Sequence, residues 1–287
     1  MNHQHYYVPE QSHWPIVAAF ALFFLAAGTA HTIIHGQPLL LIIGLGAIAY
    51  LFVGWFGEVI RENQAGLLDN DQVDRSFRLG MGWFIFSEVM FFAAFFGALF
   101  YIRHFSVPWL AGEGAKGISH MLWPAFEASW PVMSPPDSAR FPGPEETVDP
   151  WHLPFINTLL LVSSSITLTI AHHALKKGHR AVVIAWMFVT VALGVSFLVV
   201  QGYEYHEAYT QMGLTLHAGV YGATFFILTG FHGMHVTLGT IILIVMLSRI
   251  LRGHFSARRH FGFEASAWYW HFVDVVWLGL FIFVYVL

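Results

Sequence analysis

Seven stretches of the chain, roughly 15–35, 38–60, 77–103, 152–175, 181–204, 216–248 and 266–287, are each long and apolar enough to cross a lipid bilayer. A helix rises about 1.5 Å per residue, so about 20 apolar residues span a hydrocarbon core of about 30 Å. Within that core every backbone N–H and C=O must be paired, and a helix pairs them inside its own segment. The segments therefore predict an all-α integral membrane protein with seven transmembrane helices. A water-soluble alternative fails on composition: 10% of the residues are charged, against roughly 25% in soluble domains.

The connections divide the chain further. Residues 63–76, "NQAGLLDNDQVDRS", form a polar connector. It separates an N-terminal tail with two spans (1–62) from a five-span bundle (77–287). Residues 104–151 contain "SVPWLAGEGAKG" and "SPPDSARFPGPEETVDP", and their prolines and charges rule out another span. No internal repeat is visible, which removes the usual signature of an inverted-repeat transporter. The opening "MNHQHYYVPEQSHW" lacks a basic n-region and a small-residue cleavage site, so it does not read as a signal peptide.

Basic residues orient the spans. With the N-terminus inside, the inner connections hold Arg61, Arg75, Arg78, Lys176, Lys177, Arg180, Arg249, Arg252, Arg258 and Arg259. The outer ones hold Arg103, Lys116 and Arg140, two of them deep in the long loop, and these complete the 13 Lys and Arg residues. The expected arrangement is N-terminus inside, C-terminus outside, and 104–151 outside.

One acid breaks the third span. Glu88 lies near its midpoint, inside "WFIFSEVMFF". An ionised carboxylate at that depth is costly, so the neutral acid is the expected form, and it still needs a hydrogen-bond partner. The sixth span offers His232 and His235 at similar depth in "LTGFHGMHV", spaced i, i+3 on one helix face, with Gly230 and Gly233 permitting close approach. Such a site is either a polar clamp between helices or a proton-relay acid.

The chain has 18 histidines and no cysteine. The missing thiols exclude disulfides, iron–sulfur clusters and cysteine nucleophiles. The histidine groups His31/His35, His172/His173 and His232/His235 invite comparison with membrane di-iron enzymes. Metal ligands must converge to about 2 Å from one ion. The outer and inner pairs here are separated by about 30 Å of hydrocarbon, so no shared metal centre is expected. His3, His5 and His13 in the tail could instead gather protons at the inner surface, since histidine titrates near neutral pH.

Two span ends carry charge beside aromatics. "WFGEVIRE" closes the second span with Trp55, Glu58, Arg61 and Glu62, and "SRILRGHFSARRHFG" follows the sixth with Arg249 and His254. Trp at a boundary with Arg beyond it is an anchoring pattern, and inner basic clusters also suit anionic lipid head groups.

A run of ordered motifs then resembles one family. "WPIVAAF" opens the first span, "EVIRE" closes the second and "SEVMFF" lies in the third. "LPFINTLLLVSSSITLTIAHHAL", "GYEYHEA", "YGATFFILTGFHGMHV" and "HFGFEASAWYWHFVDVVWL" follow in order to the C-terminus. Together they resemble the subunit III family of haem–copper cytochrome c oxidases of the aa type.

The resemblance implies seven helices, with helices 1–2 splayed from a bundle of helices 3–7 and phospholipid held in the cleft. It implies no haem, copper or catalytic residue in this chain. Haem and copper would belong to partner subunits 1 and 2, with cytochrome c met only through the complex and no nucleic acid partner. The role implied is support of proton uptake and turnover stability in subunit 1. Glu88 matches the family's buried membrane carboxylate, and His235 with His232 its sixth-helix histidines. Trp55, Arg61, Glu62, Arg249 and His254 match positions near lipid head groups, and His3 and His5 the proposed proton-collecting surface. The long 104–151 loop points to a bacterial plasma membrane rather than a mitochondrial inner membrane. Relatives in quinol oxidases or nitric oxide reductase systems commonly lack the first two helices, and a proton-coupled transporter would use Glu88 and His235 as its relay.

Overall fold

The computed structural model describes residues 7–8 and 11–287, without the side chains of residues 115 and 116. The described residues are mostly helical, with no β-strand among them. Seven long helices account for the seven apolar stretches: α1 (Trp14–His35), α2 (Leu39–Gln64), α3 (Asp71–Tyr101), α4 (Leu153–Lys176), α5 (Arg180–Gln211), α6 (Gly219–Leu251) and α7 (Phe261–Leu280). Each is long and apolar enough to cross a membrane. α3 continues through a wide π turn to Leu110, and α7 through another to Val286. Several helices run past the limits of their apolar stretches, α3 and α5 furthest. α3 begins at Asp71, inside the segment read as connector, and α5 extends beyond residue 204 to Gln211. Polar residues there continue the helix because they pair within it, and hydropathy alone does not register them.

The chain forms two compact units, Met1–Gly80 and Met81–Leu287. In the first, α1 and α2 form an antiparallel hairpin. α1 stops at Gly36, whose left-handed φ of 69° lets its N–H bond back to the Thr32 carbonyl. The buried positions are Trp14, Ala21 and Gly28 on α1 and Gly44 and Leu51 on α2. Their spacing of seven is the seam of a left-handed helix pair. Glycine permits the close approach: a Cβ on Gly44 would lie 2.7 Å from the Leu25 Cα, and one on Gly28 would strike the Leu41 backbone. At the far end Trp14 lies over Gly54 and donates its indole N–H to Glu58, while the Tyr7 hydroxyl donates to Glu62 at 3.0 Å.

The second unit is built on aromatics. Trp270 and Trp277 of α7 are fully buried, with Phe197, Phe225, Phe263, Leu161, Leu168 and Met187 around them. Trp270 is wedged between α5 and α6, because a Cβ on Gly194 or on Gly239 would come within 2.9 Å of its ring. Each indole N–H finds an acceptor on α4: Trp270 donates to Ser164 at 2.8 Å and Trp277 to Thr158 at 2.9 Å. The segment read as the 104–151 loop begins inside the third-span helix, which runs to Leu110, and residues 111–151 hold no helix long enough to span. The segment carries a small apolar cluster of Val107, Phe126 and Val132 and ties down where the Glu145 N–H donates to the Met212 carbonyl at 3.0 Å.

Candidate functional site

The third-span acid meets the sixth-span histidine. Glu88 on α3 and His235 on α6 are in contact, with Oε2 and Nε2 2.9 Å apart. Their side chains are 21% and 7% exposed. The imidazole is set from both ends. Nδ1 lies 2.6 Å from the Phe231 carbonyl, which can only accept, so Nδ1 carries a proton. The contact with Glu88 then holds one further proton. It sits on the carboxyl, which donates to a neutral imidazole, or on Nε2, which donates to a carboxylate. The pair is neutral overall in both cases, which suits its apolar surroundings. Phe92 packs edge-on against the imidazole at 5.0 Å between centroids, and the Tyr269 hydroxyl donates to the His235 carbonyl at 3.3 Å. The arrangement can hold one proton between an acid and a base and move it over a short distance.

His232 is not brought to this pair. An i, i+3 step on a helix turns the side chain by about 60°, enough here to face another neighbour. Its Nε2 donates to the Val273 carbonyl of α7 at 3.1 Å, its ring packs against Trp277, and Nδ1 is buried without a hydrogen-bond partner. His232 belongs to the α6–α7 interface.

A second buried acid went unrecognised in the sequence. Glu204 on α5 is 2% exposed. Its Oε1 accepts from the Tyr285 hydroxyl at 2.6 Å and from Gln201 at 3.0 Å, and the Gln201 carbonyl accepts from Asn157 of α4 at 3.2 Å. The "GYEYHEA" block contains it, but an apolar stretch ending at residue 204 places it at a water boundary. The extension of α5 puts it inside the bundle.

The other sequence-picked residues fall in separate places. Trp55 and Arg61 are exposed on α2, and Glu62 is held by Tyr7. Arg249 is not at the surface: it is 8% exposed, with its guanidinium 4.4 Å over the Phe255 ring. Gly262 leaves it room, since a Cβ there would lie 3.1 Å from a guanidinium nitrogen. The buried position follows from the aromatic residue six places on, which folds back over the guanidinium. His254 lies in the following loop. Partial burial, together with the Arg249 and Arg252 cations, lowers its pKa from the ordinary imidazole range. His3 and His5 lie outside the described residues. At the same end of the second unit His172, His260 and Glu264 present ligand-type atoms within 4.8 Å of one another. The sequence patterns had not grouped these three, because they lie far apart in the chain.

Fold and site together define a multi-pass helical membrane protein with an acid–imidazole pair inside its five-span unit. Comparison with known families makes the assignment specific. Residues 3–111 and 120–287 match the family Cytochrome c oxidase subunit III, and the chain belongs to it. It is 38% identical to the cytochrome c oxidase subunit 3 of Dasypus novemcinctus over 287 residues, covering 99% of this chain and 98% of that protein. The subunit 3 of Raphicerus campestris is 38% identical over 287 residues with the same coverage. That of Latimeria chalumnae is 38% identical over 280 residues, covering 98% of this chain and 96% of that protein. Membership places the chain in an oxidoreductase complex.

Proposed function

We propose that this chain is a non-redox accessory core subunit of a proton-pumping cytochrome c oxidase. In this reading electrons pass from cytochrome c to oxygen through haem and copper in subunits 1 and 2. This chain contacts subunit 1 above all and supports its proton uptake and its stability during turnover. The observation that carries the reading is the Glu88–His235 pair, which holds one proton within a single neutral unit. Such a pair tunes the proton and helix environment of a neighbour without itself accepting electrons.

The proposed topology has the N-terminus inside and the C-terminus outside. The basic groups at one end of the second unit support it: Arg180 donates to the Leu251 carbonyl at 2.8 Å, and the His172 and His260 rings lie 5.5 Å apart. Trp55, Arg61 and Glu62, and separately Arg249 and His254, are the proposed contacts of phospholipid head groups. Arg249 would reach a phosphate only by leaving its aromatic cover. The membrane is proposed to be a bacterial plasma membrane, on the length of the 104–151 segment.

The test is purification in mild detergent on a C-terminal tag, with an optical spectrum, metal analysis and lipid analysis before and after partners are stripped. The reading expects haem and copper in the first sample and neither on the isolated chain. A folded chain without haem-bearing partners, or iron that stays with it, would overturn the reading.

A further inference from the structure

Where α4 ends and α7 begins, the second unit gathers titratable side chains that the Glu88 site does not use. His172 stands in the last turns of α4, His260 caps the start of α7, and Glu264 lies four residues on, in the first turn of that helix. One ligand-type atom from each lies within 4.8 Å of the other two. Three atoms so placed share a point within about 2.8 Å of all of them, and zinc takes imidazole nitrogen and carboxylate oxygen at about 2.0–2.2 Å. Shifts of under about 1 Å at the ends of the side chains would complete such a ligand set.

The surroundings of the two rings fit metal ligands. His260 Nδ1 lies 3.2 Å from the Ser256 carbonyl, which can only accept, so Nδ1 carries the proton and Nε2 keeps its lone pair. A backbone carbonyl on the second ring nitrogen orients an imidazole for a metal in this way. His172 Nε2 is buried without a hydrogen-bond partner. The His172 ring is held toward α7, 5.6 Å from Phe263 and 5.5 Å from His260 between centroids. Its neighbour His173 is engaged elsewhere, with Nδ1 2.9 Å from the Thr169 carbonyl. All three residues of the group are partly buried, which leaves an ion a way in from water. Two neutral imidazoles and one carboxylate suit a borderline divalent cation, whereas calcium and magnesium prefer oxygen ligands.

We propose that His172, His260 and Glu264 form a zinc(II) site, with one nitrogen from each imidazole, one carboxylate oxygen and a water molecule on the ion. Zinc bound there ties the end of α4 to the start of α7 and so fixes the connection that leads from α6. The site is independent of the oxidase reading and takes neither the iron nor the copper of that reading.

The tagged chain is purified with the partners it retains, washed with a chelator and titrated with zinc sulfate, and bound zinc is counted against protein. H172Q, H260Q and E264Q are treated alike, with folding checked by circular dichroism. X-ray absorption at the zinc edge, which haem does not obscure, then reads the ligands of the ion in the wild type. The wild type should hold one zinc ion per chain at least tenfold more tightly than each variant, with two imidazoles among ligands at about 2.0–2.2 Å. Wild-type affinity in any folded variant overturns the site. So does a wild type that takes up no zinc, or a bound ion without imidazole ligands, and this spectrum decides even where a variant fails to fold. None of these results touches the oxidase reading. Zinc held as expected by a chain without haem-bearing partners supports the site while that reading fails.

Discussion

Replacing Glu88 by glutamine separates the two things the Glu88–His235 pair can do. The wild-type contact joins α3 to α6 at 2.9 Å and holds one proton, with His235 Nδ1 already committed to the Phe231 carbonyl. Glutamine keeps the shape and supplies an amide N–H that donates to Nε2, so the helix contact survives at a cost of about 1 kcal/mol or less. Alanine leaves Nε2 without a partner in a place where water does not replace it, which costs about 1–3 kcal/mol. What glutamine removes is the mobile proton. The expected result is that the E88Q complex assembles and keeps most of its turnover, whereas E88A loses subunit retention in detergent. The assays are oxygen consumption and proton uptake by the purified complex, with haem content as the measure of assembly. An assembled E88Q complex with no turnover would refute the reasoning, because the proton and not the contact would then be indispensable. Equal destabilisation by E88Q and E88A would refute the hydrogen-bond accounting.

The glycine seats give a second expectation. G239A puts a methyl within about 3 Å of the Trp270 ring and should lower thermal stability by about 1–3 kcal/mol, measured by unfolding in detergent. Unchanged stability would show that Trp270 is free to shift. In the α1–α2 hairpin, E58A leaves the Trp14 indole N–H without its acceptor. It should cost about 1–3 kcal/mol and increase proteolysis near residue 14, whereas E58Q should restore most of the protection. At the second buried acid, Y285F removes the 2.6 Å donor to Glu204 and should destabilise by about 1–3 kcal/mol, with less effect on turnover than on unfolding. His254 should titrate below the ordinary imidazole range, because burial and the Arg249 and Arg252 cations disfavour its charged form. The unfolded chain therefore binds this proton first, so the folded arrangement loses stability as pH falls through the ordinary imidazole range, until His254 itself is protonated. Binding of an anionic lipid there should raise the midpoint in an NMR titration.

What the sequence made legible follows from which forces act along the chain and which act between helices. Hydropathy reads burial in lipid one segment at a time, and seven helices resulted where seven apolar stretches were visible. It is weak where a helix continues in polar residues, as at Asp71 and from Glu204 to Gln211. It also cannot tell which way a side chain turns. His232 and His235 share a face only loosely, and that 60° sends one to α7 and the other to Glu88. Arg249 reads as a boundary cation, but the aromatic that covers it, Phe255, becomes its neighbour only when the chain folds back after α6. The heptad spacing of Trp14, Ala21 and Gly28 was present in the sequence all along. Its meaning depended on Gly44 and Leu51 across the turn.

The three carboxyl groups inside the second unit divide the work of a membrane subunit between them. Glu204 is enclosed, and hydrogen bonds from Tyr285 and Gln201 reach it, so moving its proton would disturb α5 and the end of α7 together. Its environment favours a fixed structural role. Asp274 accepts from the Ser165 hydroxyl, and one oxygen of each of these two acids, Glu204 Oε2 and Asp274 Oδ1, is buried without a hydrogen-bond partner. Glu88 differs from both. Its one partner is a base whose other nitrogen is already satisfied, so a proton can pass between Oε2 and Nε2 without any helix moving and without a change in net charge. Under the role proposed above, in which the subunit supports a neighbour's proton uptake, that is the carboxyl whose state can respond to the neighbour while the fold stays still.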